Sequence, residues 1–388
     1  MGDIAMAFTK FAMNTRVLMG ENVCQQIATQ ADLLGSRKIL LVTDEGLLKA
    51  GVVERVLKHI DTKRFEMTIF SEVKPDPSVK VVDKGASLAR DKKADLIISV
   101  GGGSPIDAGK GIAVVATNGG SSADYEGLDK YSKPPLPLFA IPTTCGTGSE
   151  VTFGAVLTNA DTNYKFILYG YNCAPQVAFL DPMLLLGIPQ KVMVPTGMDA
   201  LTHAVESYIS KGATAQSRPL ALEAIHLISK NFVRAAQNTN DLEAISNMLY
   251  AANIAGIAFA CSRLGIVHAM ALPLGAFFHV PHGIANSILL PHGLEYNLGF
   301  DNAGYCDIAA ALDLDLSGLS DEQGAQKVVA GIKEIAGHVG APAKLSEVGV
   351  KADKIGDMAR DAMKSSHIPA NPRPIHEEEV AEVYRQAM

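Results

Sequence analysis

The sequence predicts an α/β domain built on a mostly parallel sheet, followed by an all-helical domain. Three observations carry that reading. Short apolar runs alternate with helical patterns through the first half, strand-like runs stop after about Pro182, and 388 residues exceed one typical core.

RKILLVTD (37–44) reads as a buried strand, with a helix following through 45–58. FEMTIF (65–70) is a second strand, and SVKVVDKGASLARDKKA (78–94) a helix with apolar residues near every 3.6 positions. DLIISVGGGS (95–104) is a third strand running into glycines, and PIDAGKGIAVVAT (105–117) a helix. LPLFAIPTT (136–144) is a fourth strand. Beyond it, 197–210, 218–236, 241–261, 303–313, 321–339 and 377–387 are rich in Ala, Leu and Ile at helical spacing. DPMLLLGIPQ (181–190), with two prolines, marks the boundary and divides the chain into domains 1–185 and 186–388.

The composition, 48% hydrophobic with 35 Gly and 19 Pro spread along the chain, is that of a compact enzyme. A net charge of −7 without any basic run argues against a nucleic-acid partner, which demands clustered Lys and Arg. Cysteines 24, 145, 173, 261 and 306, odd in number and widely spaced, indicate a reducing compartment. MGDIAMAFTKFAMN lacks the apolar core and cleavage region of a secretory signal, and Met6 stands where a myristoylation site needs Ser or Thr. The most apolar region, 251–278, is interrupted by Arg263, His268 and Pro273, so it reads as buried helices and not a membrane span. The expected location is cytoplasmic.

Chemistry enters with SVGGGSPIDAGK. Gly101, Gly102, Gly103 and Ser104 lie between a strand and a helix, where backbone N–H groups and a helix N-terminus suit a phosphate. A plain βα turn would use the same glycines. Strand 38–43 ends in Asp44, placed either to accept hydrogen bonds from a ribose or to cap the next helix. The acid precedes the glycines, the reverse of the usual dinucleotide fingerprint. An Asp44 facing the ribose would repel a 2′-phosphate and favour NAD over NADP. PTTCGTGSE (142–150) adds a third polar loop at the same sheet edge, and three such loops favour a nucleotide.

DALTH (199–203) puts Asp199 and His203 on one helix face among apolar neighbours, and a buried pair of this kind needs partners. HAMALPLGAFFHVPHGIANSILLPHG (268–293) holds four of the ten histidines. His268 and His282 stand fourteen residues apart, either side of a Pro-Leu-Gly break that would bring them together. One carboxylate with three imidazoles suits Fe²⁺ or Zn²⁺. His59, His226, His292 and His338 read as ordinary core or loop residues; for His279 both readings stand.

GGGSPIDAGK, PTTCGTGSEVT, TGMDALTHAVESY, PLALEAI, LGIVHAMALPLGAF, PHGIANSILLPH and NPR (371–373) together closely resemble the iron-containing alcohol dehydrogenases, in family order over nearly the whole chain. The resemblance implies a dehydroquinate synthase-like architecture, with a nucleotide-binding α/β domain, a helical metal domain and an active cleft between them. It implies metal ligation by Asp199, His203, His268 and His282. It also implies dinucleotide contacts from Asp44, Gly101–Ser104, Thr143, Thr144 and Thr147, with Lys165 near the nicotinamide ribose. A homodimer or larger homo-oligomer is expected.

The departures from the family pattern are informative. The usual His-Ala-Met-Ala-His ends here in Leu272, and His279, Cys261 and Asp76 stand where Asn is common, Cys145 where Ala is common. Positions 261, 272 and 279 fall on the substrate side. Leu272 cannot relay a proton, so His279 and Cys261 become the candidate catalytic residues, beside a ribose hydroxyl or water.

The expected function is NAD(H)-dependent interconversion of a small primary alcohol and its aldehyde at an Fe²⁺ or Zn²⁺ site. Arg263 and His279 raise an alternative, a reductase for a small carboxylated or sulfonated aldehyde such as a sulfoacetaldehyde-like one. A sugar-phosphate cyclase or lyase would need more basic residues than Arg263, Lys364 and Arg373. A non-catalytic metal module would have no use for the nucleotide loops.

Overall fold

The computed structural model describes residues 10–160 and 164–388. Strands β1 (Arg16–Met19), β2 (Lys38–Val42), β3 (Glu66–Phe70), β4 (Leu96–Gly101), β6 (Leu138–Pro142) and β9 (Val177–Leu180) form one parallel sheet in the order β1-β9-β6-β4-β2-β3. Every residue of β4, β6 and β9 is buried, as a parallel sheet covered on both faces requires. Its helices are α1 (Ile27–Leu33), α2 (Glu45–Lys49), α3 (Val52–Leu57), α4 (Val79–Asp91) and α5 (Gly103–Asn118). From β2 the chain runs outward to β3, then returns to the other side of β2 as β4. The C-terminal ends of β2 and β4 therefore flank the topological switch point, where open α/β sheets take their ligands.

A second sheet, β5 (Gly127–Leu128), β8 (Tyr164–Tyr169) and β7 (Gly154–Asn159), carries an antiparallel hairpin. This hairpin, the edge strand β1 and its neighbour β9 go beyond the strands read from sequence. RVLM and VAFL have four residues each, too few to show a period. The single helix expected over 45–58 is two, because Gly51 turns left-handed between α2 and α3.

The rest is helical: α6 (Gln190–Ile209), α7 (Ser217–Gln237), α8 (Leu242–Ser262), α9 (Ile266–Phe278), α10 (His282–Asn297), α11 (Asn302–Ala311), α12 (Asp321–His338), α13 (Ile355–Ala362) and α14 (Glu377–Gln386). Helix α8 is long and apolar enough to cross a membrane. It packs instead against α6 and α7, with 67% of its most apolar window buried. The Pro-Leu-Gly sequence at 273–275 does not break the chain. Pro273 sits inside α9, and the turn comes at His279–Pro281, where left-handed His279 donates its N–H to the Gly275 carbonyl at 3.1 Å. Pro281 then caps α10.

One apolar cluster runs from a face of the sheet (Leu41, Ile98, Phe139) into the helices (Leu201, Ile225, Met270), so the two halves share a core. The loop after β6 touches α8 backbone to backbone: a Cβ on Gly148 would stand 2.6 Å from the Gly256 Cα. That close approach fixes the loop against the helical half.

Candidate active site

At the sheet edge, Gly101 ends β4 with φ +156°, and a Cβ there would meet Pro105 at 2.4 Å. Gly102 is the N-cap of α5 and brings no side chain, so the first N–H groups of the helix stay uncovered by any cap. Cβ atoms on Gly102 and Gly103 would lie 3.2 and 3.0 Å from Thr144 and Thr147, so the two loops run side by side. Thr143 donates its N–H to the Gly101 carbonyl at 3.0 Å. The structure thus brings Gly101, Gly102, Gly103, Ser104, Thr143, Thr144 and Thr147 together at one edge, and the buried Thr144 Oγ1 has no partner among the described residues.

Asp44 lies one strand away. Its Oδ1 accepts the Leu47 N–H at 2.9 Å, so it caps α2, while no hydrogen bond engages its other oxygen among the described residues. Lys165, from β8, pairs with Asp76 at 2.7 Å. Its Nζ lies 3.6 Å from where a Cβ on Gly275 would be, which carries the hairpin across to α9.

Helices α6, α9 and α10 bring the quartet together. Asp199 Oδ1 is 3.9, 3.7 and 3.8 Å from Nε2 of His203, His268 and His282. Asp199, His203 and His268 are at most 5% exposed, whereas the His282 side chain is 43% exposed and opens the cluster to solvent. The His203 ring is stacked on Phe259 at 4.3 Å and on His268 at 4.6 Å, and its Nδ1 faces the Gly146 carbonyl of the glycine-rich loop at 3.3 Å.

Around the quartet lies a second layer of polar groups. Buried Glu206 accepts the Val267 N–H at 2.7 Å, the His268 N–H at 3.2 Å and the His268 Nδ1–H at 2.6 Å. One carboxylate therefore caps the first turn of α9 and fixes the tautomer that leaves His268 Nε2 bare. The remaining N–H of that turn, Ile266, donates to Asn371 Oδ1 at 3.3 Å, and Asn371 is locked to Asn297 by two hydrogen bonds. The NPR segment therefore braces the same helix end.

Charge follows from this packing. Burial would raise the Asp199 carboxyl, yet His203, His268 and His282 hold it well below the usual carboxylate range. Burial pushes His203 down to about 4 against the pull of Asp199. Burial also opposes charge on His268, but hydrogen bonds to Asp199 and Glu206 outweigh it and lift the imidazole to about 9.

The donor set fits a divalent cation. Asn286 Nδ2 lies 2.7, 3.1 and 3.2 Å from Asp199 Oδ1, His268 Nε2 and His282 Nε2, so three lone pairs converge on an amide with two hydrogens. Its own Oδ1 is buried without a partner among the described residues. A cation satisfies all three lone pairs at once. Tetrahedral ligands at about 2.0–2.3 Å stand about 3.3–3.8 Å apart, and ligand atoms of Asp199, His268 and His282 all lie within 4.8 Å of one another, with His203 joining at 3.9 Å from Asp199.

The catalytic candidates His279 and Cys261 make no hydrogen bond to the quartet among the described residues. His279 is exposed at the left-handed cap of α9 and makes no side-chain hydrogen bond among the described residues. Cys261 Sγ lies 3.3 Å from the Ala12 carbonyl, and burial raises the thiol. Leu272 is half-buried on α9. Sequence reasoning missed Glu206, Asn286 and His367. Glu206 continues the face of Asp199 and His203, and Asn286 follows His282 by one turn, so helical spacing was an available signal. His367, whose ring lies 6.3 Å from that of His268, left none.

Residues 14–182 match the family model of iron-containing alcohol dehydrogenase, and 193–388 that of the C-terminal part of the Fe-containing alcohol dehydrogenase family. The chain belongs to the iron-containing alcohol dehydrogenase family. It is 41% identical over 370 residues to 1,3-propanediol dehydrogenase of Klebsiella pneumoniae, covering 95% of this chain and 96% of that one. It is 34% identical to the NAD-dependent methanol dehydrogenase of Bacillus methanolicus, over 98% of this chain and all of that one. Its fold matches the crystal structure of a 1,3-propanediol oxidoreductase with a TM-score of 0.96 at 40% identity, covering 98% of this chain and 100% of that one. This iron-containing alcohol dehydrogenase interconverts an alcohol and its aldehyde with NAD(H).

Proposed function

We propose that Asp199, His203, His268 and His282 hold the divalent cation, Fe²⁺ with Zn²⁺ as alternative, and that the substrate is a small primary alcohol or its aldehyde. The observation that carries this is the convergence of the Asp199, His268 and His282 lone pairs on Asn286, with Asp199 and His268 buried and His282 partly exposed, and with His203 3.9 Å from Asp199. When bound, the cation supplies a charge that stabilises the substrate oxygen, and the dinucleotide gives or takes the hydride.

The chain's own residues hold both parts in place. Gly101, Gly102, Gly103, Ser104, Thr143, Thr144 and Thr147 form the phosphate-facing edge, Asp44 the ribose end and Lys165 the link towards the quartet. Glu206 holds His268 in its bare-Nε2 tautomer, and Gly146 ties His203 to the nucleotide loop. Reduction of an aldehyde takes a hydride at carbon and one proton at oxygen. That proton comes from solvent at the open side of His282, with His279 the side chain to test and Cys261 a wall residue. If His279→Ala leaves the pH profile unchanged, His279 has no part in it.

The domain division at 185/186, a cytoplasmic location and a homodimer or larger assembly complete the proposal. The assembly is supported by β1, an edge strand whose outer side has no partner among the described residues.

The deciding experiment strips the protein of metal, reloads it with Fe²⁺ or Zn²⁺, and follows NADH and NADPH oxidation with short aldehydes. Turnover with NADH that needs metal, and loss of bound metal in His203→Ala and His268→Ala, are expected. Full metal content in both variants overturns the ligand assignment, and a preference for NADPH overturns the role of Asp44.

A further inference from the structure

Asp76 stands between Pro75 and Pro77 in the loop from β3 to α4, at φ 55°. Asp and Asn are the side chains that enter this left-handed region most readily, and the prolines on either side have a fixed φ of their own. The Thr158 N–H of β7 donates to the Pro77 carbonyl at 2.9 Å, and Thr158 is the cross-strand neighbour of Lys165 on β8. Backbone thus fixes the loop to the hairpin, and the Asp76 carboxylate meets the Lys165 ammonium at 2.7 Å.

This ion pair lies at the open side of the quartet. Lys165 Nζ and the Val280 carbonyl stand 3.6 and 3.7 Å from where a Cβ on Gly275 would be. The ammonium therefore rests beside the turn that leads, two residues later, to His282. Gly275 itself follows His268 by two helical turns on one face of α9. Burial pushes His282 down to about 4, and the Lys165 charge adds to that push while Asp76 opposes it. For hydride to pass, the nicotinamide ring must come within about 3–3.5 Å of the substrate carbon held at the cation. The exposed member of the quartet is His282, so the ring belongs on the side where the pair stands.

The two redox states of that ring differ by one charge: the oxidised ring is a cation and the reduced ring is neutral. A carboxylate beside it favours the oxidised form, and a lone ammonium the reduced form. Asn, common at this place in the family, would keep the left-handed turn without the charge.

We propose that Asp76 is a positioning residue that holds Lys165 beside the nicotinamide and cancels its charge, so that Asp76 sets how tightly the oxidised dinucleotide binds relative to the reduced one. The proposal rests on the quartet as the cation site and on the glycine-rich edge as the phosphate site, which together place the ring.

The test measures dissociation constants on metal-loaded enzyme at low salt without substrate, NADH by its own fluorescence and NAD⁺ by displacement of NADH. In Asp76→Asn the uncancelled ammonium repels the oxidised ring. The ratio of the NAD⁺ constant to the NADH constant should rise about threefold to tenfold, the effect of one unit charge at about 7 Å in partly solvated surroundings. Lys165→Gln leaves the carboxylate alone and should move the ratio the opposite way, and the double variant should return it close to wild type. Salt at about 1 M should erase most of each shift. The melting temperature of Asp76→Asn should barely change, because the pair is partly exposed. A ratio unchanged in Asp76→Asn overturns the proposal, even if both constants move together. If Lys165→Gln still shifts the ratio in that case, the placement of the ring stands and only the role of Asp76 falls. If neither variant shifts it, the ring does not lie beside the pair and the placement of the cofactor falls as well.

Discussion

Replacing Glu206 by Gln tests whether the layer behind the quartet sets metal affinity. The carboxylate accepts the Val267 N–H through Oε1, and both the His268 N–H and Nδ1–H through Oε2. A glutamine has one acceptor oxygen, so in either orientation its amide N–H groups face a donor. With oxygen towards Val267, the His268 ring loses its acceptor and the tautomer with Nε2 bare is no longer enforced. With oxygen towards His268, the Val267 N–H is orphaned. Either case leaves a buried donor unsatisfied, about 1–3 kcal/mol, and removes a charge-assisted bond of about 1.5–3 kcal/mol. The fold should survive with a lower melting temperature. Metal affinity should fall about tenfold to a hundredfold, as for other groups that orient a ligand.

The pH dependence of that loss sharpens the test. In the metal-free wild type His268 is raised to about 9, so below that pH a proton competes with the metal. Removing the Glu206 charge lowers the proton affinity of His268 and relieves part of the competition. The wild type therefore gains affinity up to about pH 9, the variant levels off earlier, and the gap between them widens from pH 7 to pH 9. Competition of apo protein with a chromogenic chelator for Zn²⁺ measures both. Equal affinity of variant and wild type at pH 9 would refute the reasoning.

Three further outcomes follow from the same geometry. Calorimetry of Zn²⁺ binding at pH 7 in buffers of different ionisation enthalpy should show release of about one proton, from His268, since His203 is pushed down to about 4 and is already neutral; release should vanish well above pH 9. Gly101→Ala drives a Cβ to 2.4 Å from Pro105 at φ +156°, so it should cost about 1–3 kcal/mol, lower the melting temperature and weaken NADH binding in fluorescence titrations. Lys110 is fully buried and donates to Ser149, Thr152 and the Gly154 carbonyl at 2.9, 3.0 and 2.7 Å, pairing also with Asp107. Lys110→Met strands those oxygens, so it should cost about 3–5 kcal/mol in denaturant titrations and weaken NADH binding while bound metal stays constant.

The sequence by itself determined what depends on neighbours along the chain. Helical spacing put Asp199 and His203 on one face of α6, a strand running into glycines marked the phosphate-facing turn, and the loss of strand patterning after Pro182 separated sheet from helices. Each of these is a local period or a local backbone requirement, so each is readable without coordinates. Tertiary structure decided what depends on contacts between distant segments. Glu206 meets Val267 across 61 residues and Asn371 meets Ile266 across 105, and no period of 2 or 3.6 encodes either. Short strands such as β1 and β9 exist because they pair with neighbours, β9 buried between β6 and β1 and β1 along β9, not because four residues favour a strand. The turn at His279 and not at Pro273 has the same origin. A proline inside a helix forfeits one hydrogen bond, and packing of α9 into the core outweighs that loss.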